Sequence, residues 1–288
     1  MFLDERVRAD LAAFTRFGDI RLLDVTDSTN RVVGDMAAEG AQEGVVVAAD
    51  LQTAGRGRLD RTWEAEPGDA LLVSLLLRPS DLPLSRWHLV TAAAGLAARD
   101  ACAEVADVRP ELKWPNDLIE PEGVEGDLPP GGLPRKLAGI LAESTAGALV
   151  VGMGLNVHSG PPGSVWLDQL AGRRVGRPDL LAAWLRKFDG LIGDWDVVAA
   201  RYRSECSTVG REVEVEEVGS RLVGVAESID DEGRLIVRPA GSAGSAGSGG
   251  RAGSGGRGGS GGPGGKGGEG APALVAVSAG DVVHLRPA

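Results

Sequence analysis

Apolar residues along the first two hundred positions fall into short runs rich in Val, Leu and Ile. Runs of this length, bounded by Gly, Pro, Asp or Ser, predict buried β-strands. They are found at 20–25, 44–50, 70–79, 111–114, 136–144 and 148–157. Several follow one another across tight turns, such as the turn at 144–147, so neighbouring strands are expected to pair in order.

Between these runs, apolar residues recur every three to four positions, which predicts amphipathic helices. Ser28 or Thr29 can cap a helix that ends near Gly40, and Ser85 can cap a longer helix that continues to about residue 105. Two further stripes are Leu3, Val7, Leu11 and Phe14, and, after Pro178, Leu181, Trp184, Leu185, Phe188 and Leu191. Helices and strands do not alternate strictly. The pattern therefore predicts an α/β or α+β fold, a mixed sheet with helices packed on one side, rather than a dinucleotide-binding fold.

The pattern changes after residue 207, where segments become short, β-branched and punctuated by Gly and Asp. Five strands of a small β-barrel are predicted, at 211–218, 220–230, 231–239, 273–281 and 282–287. We therefore divide the chain into a domain at 1–207 and a barrel at 208–288. Between the third and fourth barrel strands, residues 241–271 are almost entirely Gly, Ser and Ala. Such a tract cannot bury enough apolar surface to offset its ordering entropy, so it is predicted to be disordered.

Composition narrows the class of protein. The 288 residues carry a formal net charge of −11, which does not favour a nucleic-acid surface. No apolar run is long enough to cross a membrane, and the acidic start lacks a signal-peptide region, so a cytoplasmic location is expected. Cys102 and Cys206 are expected to be reduced, buried thiols. The three histidines lack the spacing of a metal site.

One loop stands out chemically. Residues 52–63, QTAGRGRLDRTW, place three arginines and two glycines directly after an apolar run. Glycine allows a close backbone approach, and arginine brings a planar donor fork that stays protonated. Two arginines separated by one glycine repel each other unless an anion joins them. The segment is therefore predicted to be a mobile loop that closes over an anion and is held open without ligand by its glycines and like charges.

Four further motifs accompany this loop: DSTN at 27–30, KWPNDL at 113–118, RKLAGILAES at 135–144 and GMGLN at 152–156. Singly, each also fits a structural role, such as a helix cap, a turn with a packed Trp or a strand-end cation. In order and spacing the set resembles the biotin protein ligase, or biotin–[acetyl-CoA-carboxylase] ligase, family. The closing SAGDVVHLRP resembles the end of that family's small C-terminal domain. The resemblance implies a mixed-sheet catalytic domain similar to class II aminoacyl-tRNA synthetases, followed by a Src-homology-3-like β-barrel.

The resemblance also implies a two-step reaction. Biotin and ATP, with Mg²⁺, form biotinyl-5′-AMP and diphosphate, and biotin then passes to one lysine of a biotin carboxyl carrier protein or domain of an acetyl- or propionyl-CoA carboxylase. The first step brings two anions together, so their repulsion must be cancelled and their atoms held near attack distance. A closed lid excludes water from the adenylate until the carrier docks.

Residue roles follow from the same resemblance. Biotin binding is implied for Ser28, Thr29, Asn30, Gln52, Gly55, Arg56, Gly57, Arg58, Lys136 and Gly139, with Leu141 and Gly152 lining an apolar slot. ATP binding is implied for Arg61, Trp63, Lys113, Asn116, Asp117, Lys136 and Asn156. Catalytic roles are implied for Arg56, Arg58, Lys136 and Asp117, and Mg²⁺ contacts for Asp117 and Asn156. Lys136 would bridge the biotin carboxylate and the α-phosphate as the mixed anhydride forms.

The chain departs from the family pattern at several places. Leu59 and Asp60 stand where some members carry another Arg and a Gly, which puts the tightness of adenylate retention in question. Insertions occupy 119–134 and 241–271. About 25 residues precede Ser28, fewer than the operator-binding domain of some members needs, so no DNA partner is expected. The oligomeric state, monomer or homodimer, stays open.

Three alternative functions stay open as well. A lipoate or octanoate ligase shares the adenylate chemistry and a lysine like Lys136. The chain could also be a non-catalytic biotin-binding protein. The third alternative is an RNA-binding protein that acts through the RG dipeptides at 241–271. That tract has no aromatic residues between its dipeptides, as base stacking would need.

Overall fold

The computed structural model of the chain describes residues 4–59, 61–123, 134–217, 220–240, 273–278 and 281–285. Its helices are α1 Glu5–Phe14, α2 Thr29–Ala38, α3 His88–Ala106, α4 Leu167–Ala171, α5 Arg177–Asp189 and α6 Trp195–Glu205. The strands of its larger part are β1 Asp19–Thr26, β2 Val45–Gln52, β3 Gly55–Arg56, β4 Thr62–Trp63, β5 Ala70–Leu77, β6 Glu111–Lys113, β7 Asp117–Ile119, β8 Lys136–Thr145 and β9 Ala148–Asn156. None of the helices within these ranges has the length and apolar character needed to span a bilayer.

Seven of these strands form one mixed sheet in the order β1-β2-β5-β9-β8-β7-β6. The β1–β2 pair is parallel, and the other neighbours are antiparallel. The six predicted strand runs are all present, and the mixed sheet is confirmed. The strands β3 and β4 form a separate two-stranded hairpin beside this sheet, which the sequence pattern did not predict.

Helices cover both faces of the sheet. On one face, the side chains of Val46 and Leu75 pack in the core that includes Trp184, whose ring stacks on Phe188 at a centroid distance of 5.7 Å. On the other face, α2 covers alternate strand residues such as Val47. The expectation of helices on one side is therefore wrong. Every residue of β5 is buried, and a strand that is apolar on both faces needs cover on both.

The helix starts agree with the sequence pattern in part. Ser28 caps α2, since its hydroxyl oxygen accepts from the backbone N–H of Arg31 at 3.5 Å. The prediction that Ser85 caps the long helix is wrong, because a 3₁₀ turn at Leu84–Arg86 comes first and α3 begins at His88. In the first predicted stripe Leu11 is buried but Phe14 is 80% exposed, so Phe14 is not a core residue. Leu3 lies outside the described residues.

The smaller part contains the five predicted strands, which form an antiparallel sheet consistent with the predicted small barrel. Its strands are β10 Glu212–Glu217, β11 Ser220–Ile229, β12 Leu235–Pro239, β13 Val275–Val277 and β14 Asp281–His284, in the order β13-β12-β11-β10-β14. Alternate residues, including Val213 and Val215, point into its core. Residues 241–271, predicted to be disordered, lie outside the described residues.

Direct hydrogen bonds join this sheet to the KWPNDL turn. The backbone N–H of Trp114 donates to Thr208 Oγ1 at 3.0 Å, and the same hydroxyl contacts His284 Nε2 at 2.9 Å. The indole N–H of Trp114 donates to the carbonyl of Gly233 at 2.9 Å. The turn that carries three predicted site residues is therefore held between the two sheets.

Candidate active site

A cavity of about 320 Å³ opens on the sheet face that α2 covers, a volume suited to a small ligand. The structure brings most of the predicted site residues to its wall: Ser28, Thr29, Asn30, Gln52, Arg56, Gly57, Arg58, Arg61, Trp63, Lys113, Asn116, Asp117, Lys136 and Gly139. Leu141 and Gly152 lie there too, as expected for an apolar slot. Two predicted residues, Gly55 and Asn156, are not among the lining residues.

The floor of the cavity consists of glycines on β8 and β9. A Cβ on Gly152 would collide with the amide of Asn30, and one on Gly154 would collide with the ring of Trp63. A Cβ on Gly139 would come within 2.9 Å of the ammonium nitrogen of Lys136 and 3.4 Å of Trp63. The missing side chains are therefore what lets Trp63, Asn30 and Lys136 lie against the sheet.

The end of the cavity near α2 is a neutral hydrogen-bonding pocket. The backbone N–H and the hydroxyl of Thr29 both donate to Gln52 Oε1, at 2.7 and 3.0 Å. Ser74 Oγ lies 2.7 Å from Thr29 Oγ1 and 2.6 Å from Asn30 Oδ1. With Ser28, Thr29, Asn30 and Ser74 buried, these bonds hold the polar side chains in one arrangement.

Ser74 is a site-supporting residue that the sequence analysis missed. It is fully buried in β5 and reaches both Thr29 and Asn30. A signal was present, because Ser74 is the one polar residue in the apolar run ALLVSLLL at 70–77. A polar side chain in such a run must find a buried partner, and at this position the partners are the DSTN residues.

The arginine loop is a short hairpin rather than an open loop. Gly55 pairs with Trp63 and Arg56 with Thr62, and the N–H of Gly57 donates to the carbonyl of Arg61 at 2.7 Å. A Cβ on Gly55 would come within 2.5 Å of the Trp63 carbonyl oxygen, so this glycine allows the close strand pairing.

The guanidinium groups of the loop bind separate acceptors. Arg56 Nη2 donates to Glu143 Oε2 at 3.0 Å, and Arg58 Nη1 donates to Asn116 Oδ1 at 3.2 Å. The expectation that like charges hold the loop open is therefore wrong, because each of these arginines is held by its own partner. Asp60, where the loop departs from the family pattern, lies outside the described residues.

Cationic side chains surround one carboxylate at the other end of the cavity. Lys136 Nζ lies 2.7 Å from Asp117 Oδ1 and 5.7 Å from the ring centroid of Trp63. Lys113 lies directly across the β6–β7 pair from Asp117. Burial lowers the pKa of Lys113 and the pKa of Arg58, and the charge of Asp117 opposes both shifts. This end of the cavity is thus built to receive anions.

Asn156 lies behind this cationic end rather than on the cavity wall. It is 1% exposed, and its Nδ2 donates to the carbonyl of Val165 at 3.1 Å and lies 3.4 Å from the carbonyl of Lys136. Its buried Oδ1 has no hydrogen-bond partner among the described residues. In the structure its visible task is to hold the backbone at the start of β8.

The fit of Mg²⁺ depends on the oxygen donors that the cavity offers. Within the described ranges, no group of three or more His, Cys, Asp or Glu side chains is placed to hold a metal. Asp117 is the carboxylate on the cavity wall among the predicted residues, and it already contacts Lys136. Mg²⁺ commonly binds through one or two carboxylates together with substrate phosphates. The residues therefore fit an ion that arrives with a nucleotide, not a dedicated protein site.

The smaller sheet completes the cavity. Glu216 of β10 and Val282 and Val283 of β14 are among its lining residues. These three residues were not predicted as site residues, although the SAGDVVHLRP motif that contains two of them was part of the resemblance. The cavity is thus formed by both parts of the chain.

Comparison with known proteins agrees with this architecture. Residues 22–159 match the model of the biotin/lipoate A/B protein ligase family. The chain is 35% identical over 299 residues to a biotin–[acetyl-CoA-carboxylase] ligase of Mycobacterium tuberculosis, covering 99% of this chain and 96% of the relative. It is 30% identical to the bifunctional ligase/repressor BirA of Bacillus subtilis, over 74% of this chain and 67% of the relative.

Solved structures share the fold. A biotin protein ligase from Aquifex aeolicus in complex with biotin and ATP superposes with a TM-score of 0.65 at 24% identity, covering 77% of this chain and 92% of that one. A biotin protein ligase from Leishmania major in complex with biotinyl-5-AMP superposes with a TM-score of 0.54 at 25% identity, covering 77% and 95%. With a relative at 35% identity along nearly its whole length, the chain belongs to the biotin protein ligase family.

Proposed function

We propose that this chain is an ATP-dependent biotin–[acetyl-CoA-carboxylase] ligase that forms biotinyl-5′-AMP and transfers biotin to a lysine of a biotin carboxyl carrier protein or domain. One observation carries the proposal. A single cavity joins a neutral hydrogen-bonding pocket, at Thr29 and Gln52, to a cationic end at Lys136 and Arg58. That combination suits a molecule with an uncharged polar ring at one end and a carboxylate at the other.

The neutral pocket complements the ureido ring of biotin, which has two N–H donors and one carbonyl acceptor. Gln52 Oε1 is taken by Thr29, so Gln52 presents its Nε2 as a donor to the carbonyl. Ser28 Oγ, whose bond to the Arg31 N–H is long at 3.5 Å, supplies an acceptor for a ring N–H. Leu141 and the glycine floor leave room for the apolar ring and chain.

In the first step a biotin carboxylate oxygen attacks the α-phosphorus of ATP. A new O–P bond forms, the bond between the α-phosphorus and the bridging oxygen breaks, and diphosphate leaves with the electron pair. Lys136 offsets the repulsion between the two anions and stabilises charge that develops on the phosphoryl oxygens. Arg58, held by Asn116 at the same end of the cavity, gives a second positive charge.

The nucleotide is assigned to the Trp63 side of the cavity. The ring of Trp63 packs so closely on Gly154 that no Cβ fits between them. Its indole N–H is buried and has no acceptor among the described residues. A buried donor of this kind is satisfied when a ligand supplies an acceptor. Lys113 and Arg61 add positive charge for the phosphates. Mg²⁺ that arrives with the phosphates would supply further charge neutralisation, and Asp117 on the cavity wall would hold it. Asn156, implied for the same role, lies behind the wall with its Oδ1 unpaired among the described residues.

In the second step the amine of the carrier lysine attacks the acyl carbon of the adenylate. A C–N bond forms, AMP leaves, and the amine loses a proton. We assign that proton to Asp117, whose carboxylate lines the cavity 2.7 Å from Lys136.

A lipoate or octanoate ligase is the second candidate, because the matched family includes lipoate ligases. The experiment that separates them incubates the purified chain with ATP, Mg²⁺ and one acid at a time, and measures acid-dependent diphosphate release. We expect release with biotin and none above background with lipoate or octanoate. Release with lipoate or octanoate but not with biotin would overturn the proposal. Mass spectrometry of an added carrier domain then locates the modified lysine.

A further inference from the structure

Glu143 on β8 is outside the set of residues that line the main cavity, yet it contacts two residues that do. Asn30 Nδ2 donates to Glu143 Oε2 at 2.7 Å, and Arg56 Nη2 donates to the same oxygen at 3.0 Å. We propose that Glu143 is a positioning residue of the biotin site, acting through Asn30 and Arg56. This inference rests on the proposed function and gives a role to Glu143, which lies within the RKLAGILAES motif but has no role among those the resemblance implies.

The first contact sets the orientation of an amide. The side chain of Asn30 can turn either its oxygen or its NH₂ group toward a neighbour, and the two choices bond differently. A carboxylate only accepts hydrogen bonds, so Glu143, at 2.7 Å, favours the orientation with NH₂ toward itself, and the Leu141 carbonyl, at 3.4 Å, is a weaker second acceptor of that group. Asn30 Oδ1 then lies against Gly152 and accepts from Ser74 Oγ at 2.6 Å. Asn30 is fixed from two sides, and so is the wall of the pocket that it forms.

The second contact holds the arginine loop. Arg56 has five N–H donors in a planar fork, and the bond to Glu143 uses one edge of it. Glu143 lines the open groove on the outer side of the loop, together with Arg56 and Leu141. The carboxylate therefore draws the guanidinium against β8 from outside and leaves its remaining N–H groups for a ligand anion in the cavity. Arg56 is placed for that anion before the anion arrives.

The exposure of the pair separates this role from a purely structural one. The side chains of Arg56 and Glu143 are 49% and 33% exposed. Ion pairs this accessible to water contribute little to folding. Loss of Glu143 is therefore expected to change ligand binding much more than thermal stability. A residue needed mainly for folding would show the opposite pattern.

The variants Glu143→Ala and Glu143→Gln test the inference in the full chain. Alanine removes both contacts, so we expect the KM and the Kd for biotin to rise about tenfold or more, with the KM for ATP within about twofold of the parent. Glutamine keeps an acceptor for Asn30 and loses the charge, so we expect a smaller rise, about threefold. Glu227→Ala is the matched control, because Glu227 is 35% exposed and pairs with an arginine, Arg238, in the smaller sheet. Its constants should equal those of the parent.

Three readings decide the outcome: calorimetric titration of biotin, biotin-dependent exchange of labelled diphosphate into ATP, and thermal melting. Glu143→Ala should raise the KM and the Kd for biotin by a smaller factor when Arg56 is already alanine, because only the contact of Glu143 with Asn30 then remains to be lost. A biotin KM within twofold of the parent for both variants, an equal loss for biotin and ATP, or full additivity with Arg56→Ala would overturn the inference. Absence of biotin-dependent exchange in the parent would instead overturn the proposed function, so the two failures are distinct.

Discussion

The ammonium nitrogen of Lys136, the first residue of β8, lies 2.7 Å from a carboxylate oxygen of Asp117, the first residue of β7, at the cationic end of the cavity. Lys136 is 41% exposed and Asp117 20%, so a ligand can reach the lysine without breaking the pair. The contact is an ion pair without hydrogen-bond alignment, since Asp117 Oδ1 has no hydrogen-bond partner among the described residues. The three donors of the ammonium group can therefore turn toward a carboxylate and a phosphate, which is the arrangement that adenylation requires.

Replacing Lys136 by alanine should therefore abolish adenylate formation. The expected loss is on the order of 10²–10³-fold or more in the rate of the first step, because a cation is removed where charge develops. Biotin-dependent exchange of diphosphate into ATP measures it. Lys187→Ala is the matched control, since Lys187 on α5 is 40% exposed and pairs with Glu104 on α3 at 2.7 Å. Exchange by Lys136→Ala at a rate close to that of the control would exclude the assigned role.

Arg58→Ala should weaken biotin binding and release the adenylate. Arg58 is held at the cavity wall by Asn116, and its removal takes away one of the charges that retain the ligand. We expect biotin to appear on lysines of bystander proteins, such as serum albumin, without any carrier present. Arg221→Ala, which removes an exposed arginine of the smaller sheet, should show no such labelling. Tight biotin binding with labelling confined to the carrier would count against the loop as a clamp.

Gly154→Ala should damage the nucleotide side of the site. The added Cβ collides with the indole ring of Trp63, so the ring must leave the floor of the cavity. We expect the KM for ATP to rise about tenfold, since one displaced aromatic contact is worth about 1 kcal/mol or more. Gly34→Ala in α2 is the control, because its nearest contact would be Thr145 at 3.9 Å and alanine favours helix. Equal ATP constants for both variants would show that Trp63 does not pack on the nucleotide.

His284 should make the stability of the protein depend on pH. Burial, together with the charges of Lys113 and Arg211, lowers the pKa of His284 to about 3. In the unfolded chain this imidazole binds a proton near pH 6.5. Neutral His284 therefore makes its full contribution to the free energy of unfolding above that pH. The contribution is lost as the pH falls toward 3, by up to roughly 1.4 kcal/mol per pH unit. Urea unfolding at pH 7.5 and 5.5 should therefore show a larger drop for the parent than for His284→Asn. Equal drops would mean that folding does not lower the pKa of His284.

The elements that carry strong local signals were predictable from sequence. The six strand runs of the larger sheet, the cap at Ser28 and the five short strands after residue 207 are all present. These elements were predictable because hydrophobic period and capping chemistry are local properties of the sequence. Most of the site residues that the resemblance implied also line one cavity. The helix at Trp195–Glu205 was missed even though Trp195, Val198, Ala199 and Tyr202 have helical spacing.

The predictions that were wrong concern features that depend on contacts between residues distant in sequence. Nothing local to α2 shows that it covers the second sheet face, and nothing in the spacing of Arg56 and Arg58 shows that Glu143 and Asn116 hold them apart. Ser85 has the chemistry of a helix cap, but a 3₁₀ turn precedes α3. The roles of individual site residues remain predictions, because the structure gives their placement and the variants above test their chemistry.

We propose that the cations around Lys136 neutralise the biotin carboxylate and the α-phosphate so that the two can be joined. Exchange of labelled diphosphate into ATP by the purified chain, with Mg²⁺ and with or without biotin, measures that joining. We expect label to enter ATP when biotin is present, and to stay at background without biotin or with Lys136→Ala. Absence of biotin-dependent label in ATP, with a folded protein and both substrates in excess, would rule out this role of the cations.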